Sequence, residues 1–154
     1  MAISLTTITG AAQTGLTSPT YTVTADTPVG PNAKQWAVTA LGGTQTGVVP
    51  HSISFPFTIA FVRPLIYKLV ALVNSATGRL RSSSKNVTKI ITRKGVIPLA
   101  GQPAEIMIME TTIKIPAGAE TADSNSVRAC ESAHLGAVAQ QSSGIGDTTV
   151  TGIL

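Results

Sequence analysis

Alternation of apolar and polar residues dominates the first two thirds of the chain. In ISLTTIT (3–9), Ile3 and Leu5 alternate with polar neighbours. In PTYTVTA (19–25), Tyr21, Val23 and Ala25 alternate with threonines. A period of two marks a strand with one buried face. Gly10, Gly15 and Pro19 mark a turn between them, so 3–25 reads as an N-terminal hairpin. KQWAVTAL (34–41) sets Trp36, Val38 and Ala40 on one face. SISFPFTIAFV (52–62) sets Ile53, Phe55, Phe57, Ile59 and Phe61 on one face, the cleanest alternation in the chain. LIYKLVALV (65–73) is apolar on both sides and reads as a central strand. A strand over 86–97 and a last long one over 105–115 follow, giving a five-stranded antiparallel sheet across 34–116.

The texture changes after Pro116 and Gly118. Asp123 or Ser124 suits a helix N-cap, and Val127, Cys130, His134 and Val138 recur at helical spacing. The helix is expected to stop at Ser142-Ser143-Gly144. The tail from 144 to 154, apolar at its tip, is expected to dock. Residues 123–154 thus form a C-terminal helical segment and tail. Strands first and helices last is an α+β arrangement, read as one domain over 1–154. One short Ala-rich helix cannot cover a face of five strands. The chain is therefore expected to dimerise, with its helix on the partner's sheet.

Composition narrows this picture. Apolar residues are 43% and charged residues 12%, which excludes a disordered chain. The apolar stretch 53–73 is long enough for a membrane span, but Arg63, Lys68, Pro56 and Pro64 interrupt it, so no membrane partner is expected. Cys130 is the only cysteine, which excludes an intrachain disulfide and a cysteine-based zinc cluster. Its neighbours suggest a small buried helix residue. MAISLTTITG carries no basic leader region.

Charge changes the picture more. The net charge is +4, and no acidic residue lies between Asp26 and Glu105. Lys34, Arg63, Lys68, Arg79, Arg81, Lys85, Lys89, Arg93 and Lys94 all fall in that interval. One-sided charge over such a length favours a polyanion, and nucleic acid above others. Lys89 and Arg93 share one face of their strand, where Lys68 and Lys114 are expected to join them from neighbouring strands. Arg79, Arg81 and Lys85 are placed on a basic connection.

Catalytic chemistry finds little support. His51 and His134 are the only histidines, and neither has a nucleophile or acid at telling spacing. His134 is read as packed on its helix. No phosphate-cradling glycine loop occurs, and no cofactor is called for. Asn86-Val87-Thr88 is a formal glycosylation sequon, without any other sign of secretion.

METTIKIP (109–116), followed by AGAETADSNSVRA, resembles the last strand and helix entry of the coat proteins of single-stranded RNA bacteriophages, the levivirus type. KQWAVTALGGTQTGVVPHSISFPFTIAFVRP (34–64) and SAHLGAVAQQSSGIGDTTVTGIL are also similar to that family. The resemblance implies an N-terminal hairpin, a five-stranded sheet and helices interlocked in a dimer with one ten-stranded sheet. It implies an icosahedral shell in the virion, made in the cytoplasm of the bacterial host. The inner sheet face would bind genomic RNA, including an operator hairpin that represses replicase translation. The loop PLAGQP (98–103) would sit at symmetry axes; it holds no cysteine for inter-subunit disulfides. Glu110 matches a glutamate of the RNA face, and Thr112 follows it on the same side. Ile106 and Ile108 stand where the family has polar or aromatic residues, which counts against operator recognition of the same kind; Lys114 also departs, adding charge to the same face.

The candidate RNA-binding set is Lys68, Lys89, Arg93, Glu110, Thr112 and Lys114. Few aromatic residues are available, and only Tyr67 is placed to reach a base. Charge-dominated binding with weak sequence preference is expected. The alternative class is a stand-alone nucleic-acid-binding module with an antiparallel sheet. A small hydrolase would require an acid–base set that the sequence does not supply.

Overall fold

The structure is a computed structural model and describes residues 2–154; Met1, the first residue of the domain read over 1–154, lies outside them. Six strands form one antiparallel sheet in chain order: β1 (Thr7–Thr9), β2 (Thr17–Asp26), β3 (Ala33–Thr44), β4 (Phe57–Val62), β5 (Lys85–Val96) and β6 (Glu105–Pro116). Three helices follow: α1 (Ala119–Ala122), α2 (Ser124–Gln140) and α3 (Ser142–Thr151). The α+β class is as expected.

The sheet's two faces differ in chemistry because pairing keeps the alternation of each strand in phase. Trp36 pairs with Ile59, Phe61 with Ile90, and Thr88 with Ile113. Tyr21, Val23, Trp36, Val38, Phe57, Ile59, Phe61 and Ile90 therefore share one face. Val23, Trp36 and Val38 are its buried centre, with Leu5, Ile8 and Leu41 packed against them. Tyr21 meets Phe57, and Trp36 meets Phe61, edge to face at 5.8 and 5.9 Å, a favoured arrangement for aromatic rings. The opposite face carries small and polar residues: Gln35, Ala37, Thr58, Ala60, Lys89, Arg93 and Thr112.

Several sequence expectations need correction. The hairpin forms, but it joins the main sheet, because β2 and β3 run together with register shifts at Thr17/Thr20 and Thr22/Val23. The first shift brings Gly43, at φ 73°, against the Thr17 and Ser18 backbone, where a Cβ would collide. The strand read over 3–9 is reduced to three residues.

The strand read over 52–62 begins only at Phe57. Pro56 has no N–H for the ladder, and the preceding residues form their own turn. Ser52 Oγ accepts from the Phe55 amide at 3.1 Å, and His51 Nδ1 accepts from the Phe57 amide at 3.0 Å. Ile53 is consequently fully exposed, at 103%.

The expected central strand 65–73 does not exist. The 22 residues between β4 and β5 form an arm beyond the end of the sheet. Val73 bridges Leu80, and the Asn74 amide donates to Arg79 O at 2.7 Å. The region 34–116 thus supplies four strands, not five, and the hairpin supplies the other two.

Asp123 caps α2, accepting from the Ser126 amide at 3.3 Å. α2 ends at Gln140, at the expected stop; what the sequence did not indicate is a further helix, α3, after the turn at Gln141. The tail docks through polar contacts. Gln13 Nε2 donates to Ser142 O at 2.8 Å, and Thr14 Oγ1 donates to Asp147 Oδ2 at 3.0 Å. Cys130 and His134 are exposed rather than packed, because α2 stands away from the sheet of its own chain.

Candidate nucleic-acid interface

The polar face is built from β5 and β6, whose twelve residues pair along their full length. Lys89 lies opposite Thr112, Ile91 opposite Glu110, Arg93 opposite Ile108, and Val87 opposite Lys114. Directly opposed residues of an antiparallel pair share a face. Lys89, Arg93, Glu110, Thr112 and Lys114, all foreseen, are therefore brought together on one surface.

Lys68 is not among them. It lies in the arm, where its backbone is held by the side chain of buried Asn86. Its N–H donates to Asn86 Oδ1 at 2.8 Å, and its carbonyl accepts from Asn86 Nδ2 at 3.1 Å. The Asn of the formal sequon is thereby enclosed. Lys85, expected in the basic connection, is the first residue of β5 and opposes Pro116 on the polar face. Its four-residue spacing from Lys89 was the available signal. Lys85, Lys89 and Arg93 then line up over roughly 27 Å at the usual rise per residue, with Lys114 diagonally beside them.

Lys94 takes the other side. Its Nζ lies 5.0 Å from the centre of the Phe57 ring and donates to Gly95 O at 3.2 Å. Partial burial there lowers its pKa from the ordinary lysine value.

One ion pair marks the polar face. Lys89 Nζ lies 2.8 Å from Glu110 Oε1, and Thr112 Oγ1 donates to the same oxygen at 2.6 Å. The Lys89 hydrogen bond, then that of Thr112, holds the Glu110 carboxyl below its ordinary range. Far across the sheet, Asp26 is lowered too, first by the Gln35 amide at 2.7 Å and then by the Thr27 N–H. The face is thus basic at β5 and β6 and acidic at β2.

Its strands bring it no aromatic ring, since Tyr21, Trp36, Phe57 and Phe61 all point to the other side. Tyr67 is half exposed, on the arm. The surface can attract phosphates and hydrogen-bond them, but it offers bases nothing to stack on.

The sheet ends at β6. Ile106 and Ile108 are 55% and 58% exposed on the polar face, and Met107 and Met109 are exposed on the other. Between α2 and the apolar face runs an open cleft of about 770 Å³, lined by Phe61, Ile90, Ile113, Val127, Cys130 and Leu135 among others. Among the described residues, no three His, Cys, Asp or Glu side chains gather as metal ligands. No described helix is long and apolar enough to cross a membrane.

The chain is similar to the virus-like particle of bacteriophage ESE020, at 50% identity over all of both chains and a TM-score of 0.96. It belongs to the levivirus-type coat proteins of single-stranded RNA bacteriophages, structural proteins rather than enzymes. The virus-like particle of Beihai levi-like virus 32 shares the fold, at 14% identity over 87% of this chain and 88% of that one, with a TM-score of 0.52. No protein-family model matches the chain, and no curated protein matches it.

Proposed function

We propose that the whole chain is one coat-protein unit, that it pairs through β6, and that the dimers close into an icosahedral shell with the polar face turned inward on genomic RNA. The shell is the capsid of the virion, built from chains made in the host cytoplasm. The ESE020 relative supports self-assembly, since its structure is a particle.

The single observation that carries the RNA reading is the aromatic-free basic face of β5 and β6, with Lys85, Lys89, Arg93 and Lys114 projecting from one side. It is continuous with β6, a twelve-residue edge strand with apolar side chains on both faces. Such an edge pairs with another chain unless something blunts it. Two β6 edges meeting antiparallel join two six-stranded sheets into one and double the basic track. The cleft under α2 is the space that a partner's helix fills. Each phosphate neutralised by single-stranded RNA contributes about −0.7 to the slope of log affinity against log salt.

The test is expression of the chain alone, followed by size-exclusion chromatography and negative-stain microscopy. Closed particles with strong absorbance at 260 nm are expected. Monomers free of nucleic acid would overturn the reading. Repression of a replicase message is a finer possibility of the same surface. It requires one hairpin to be preferred, which a gel-shift titration against scrambled hairpins measures directly.

A further inference from the structure

We infer that the arm between β4 and β5 is a contact between dimers in the shell, and that it docks on the C-terminal helical segment of a second copy from a neighbouring dimer. This inference rests on the coat reading above. The arm spans residues 63–84 and exposes Leu65, Ile66, Leu69, Leu72, Val73 and Leu80, with Ile66 and Leu69 at 80% and 85%. So many exposed apolar side chains on one short segment mark a protein contact. RNA would make no use of it.

The arm is also held in place. Asn86 grips both backbone groups of Lys68, the Val73–Leu80 bridge closes its outer half, and Val70 packs beside Gly118. A segment whose backbone is fixed while its apolar side chains face outward is preorganised for a partner.

Two observations choose that partner. The first is charge. The arm carries Arg63, Lys68, Arg79 and Arg81 and no acid, whereas residues 117–154 carry Glu120, Asp123, Glu131 and Asp147 against Arg128 alone. Opposite fields of this kind set register and orientation between surfaces. Outside the cleft given to the partner's helix, the helices also expose Val138, Ile145 and Val150 to meet the arm's apolar residues. The second is position. The arm leaves from the ends of β4 and β5 and, beyond the contacts of Val70 with Gly118 and of Ser84 with Ala117, does not follow β6, which leaves its exposed side chains to a copy other than the one paired through β6.

The test compares the wild-type chain with Leu69→Asp/Leu72→Asp, with circular dichroism and thermal melting to verify the fold. The expected result is a folded dimer that still binds RNA, with closed particles reduced at least tenfold. Zero-length carbodiimide coupling of particles grown from mixed ¹⁴N and ¹⁵N chains is expected to join Lys68 to helix carboxylates in mixed-isotope pairs. These products should be absent from the dimer. Particles of normal yield from the double variant overturn the inference and leave the coat reading intact. So does coupling found equally in dimers. Normal particles with a reduced RNA load from Arg79→Glu/Arg81→Glu would assign the arm to RNA, which also overturns it. A wild-type chain that forms no particle overturns both.

Discussion

At the scale of single residues, the polar face is a balance between Lys89 and its neighbours. Glu110 occupies the Lys89 ammonium and adds a negative charge where the proposed RNA reading places phosphates. Glu110→Gln therefore frees a cation without altering the strand. RNA affinity is expected to rise several-fold, with the salt slope steeper by about 1.4 per dimer, since each copy gains one phosphate contact. Filter binding across a salt series reads both. Unchanged affinity would show that the pair does not face RNA. The pH dependence follows the same logic. The Glu110 pKa is depressed in the folded chain, so its ion pair stabilises at pH above the unfolded carboxyl value and is lost as pH falls through the folded one. Protonation in that acidic window is expected to strengthen RNA binding by wild type and to leave Glu110→Gln unmoved. Arg93→Ala has the opposite sign: the slope becomes shallower by about 1.4 per dimer.

At the scale of elements, Asn86 decides whether the arm is a structure or a tether. Its buried amide satisfies both backbone groups of Lys68. Asn86→Ala leaves those groups unmatched and is expected to cost about 1–3 kcal/mol, measured by urea denaturation, with faster proteolysis between 65 and 84. Equal proteolysis of variant and parent would show that the arm is held by other contacts. The same arm explains where reading the sequence went astray. Alternation is informative where each face meets a distinct environment, as in β2, β3, β5 and β6, and those four strands were legible. LIYKLVALV has apolar residues on both sides, and within one chain that implies a central strand. On the proposed arm contact, the second environment is another copy, and a single sequence does not distinguish the two. Residues 52–56 failed for a local reason: Pro56 and the Ser52 hydroxyl take the backbone out of the ladder before Phe57. Helix α3 was hidden by Ser143, Gly144 and Gly146, residues of low helix propensity, and its contacts to Gln13 and Thr14 come from the far end of the sequence.

At the scale of the whole molecule, the two faces divide their labour, and the division limits what the protein can recognise. Every aromatic ring brought by a strand lies on the apolar face, where Tyr21, Trp36, Phe57 and Phe61 build the core. The polar face is left with hydroxyls, amides, charged groups and aliphatic side chains such as Ile106 and Ile108. Base stacking is worth about 1–3 kcal/mol per base where an aromatic platform exists, and here the strands provide none. Ile106 and Ile108 stand where a base-reading side chain would be needed at the β6 edge, and they have no hydrogen-bonding group. On the proposed RNA reading, affinity comes from phosphate contacts spread along β5 and β6 of both copies, a sequence-independent source that weakens steeply with salt. Competition between one structured hairpin and an unstructured RNA of equal length is therefore expected to show less than about a tenfold preference, because a single stacked base would already supply about that much. Raising the salt should weaken both RNAs in parallel. Nanomolar binding of one hairpin that survives high salt would mean that base contacts come from outside the sheet. Tyr67 on the arm is then the first residue to replace.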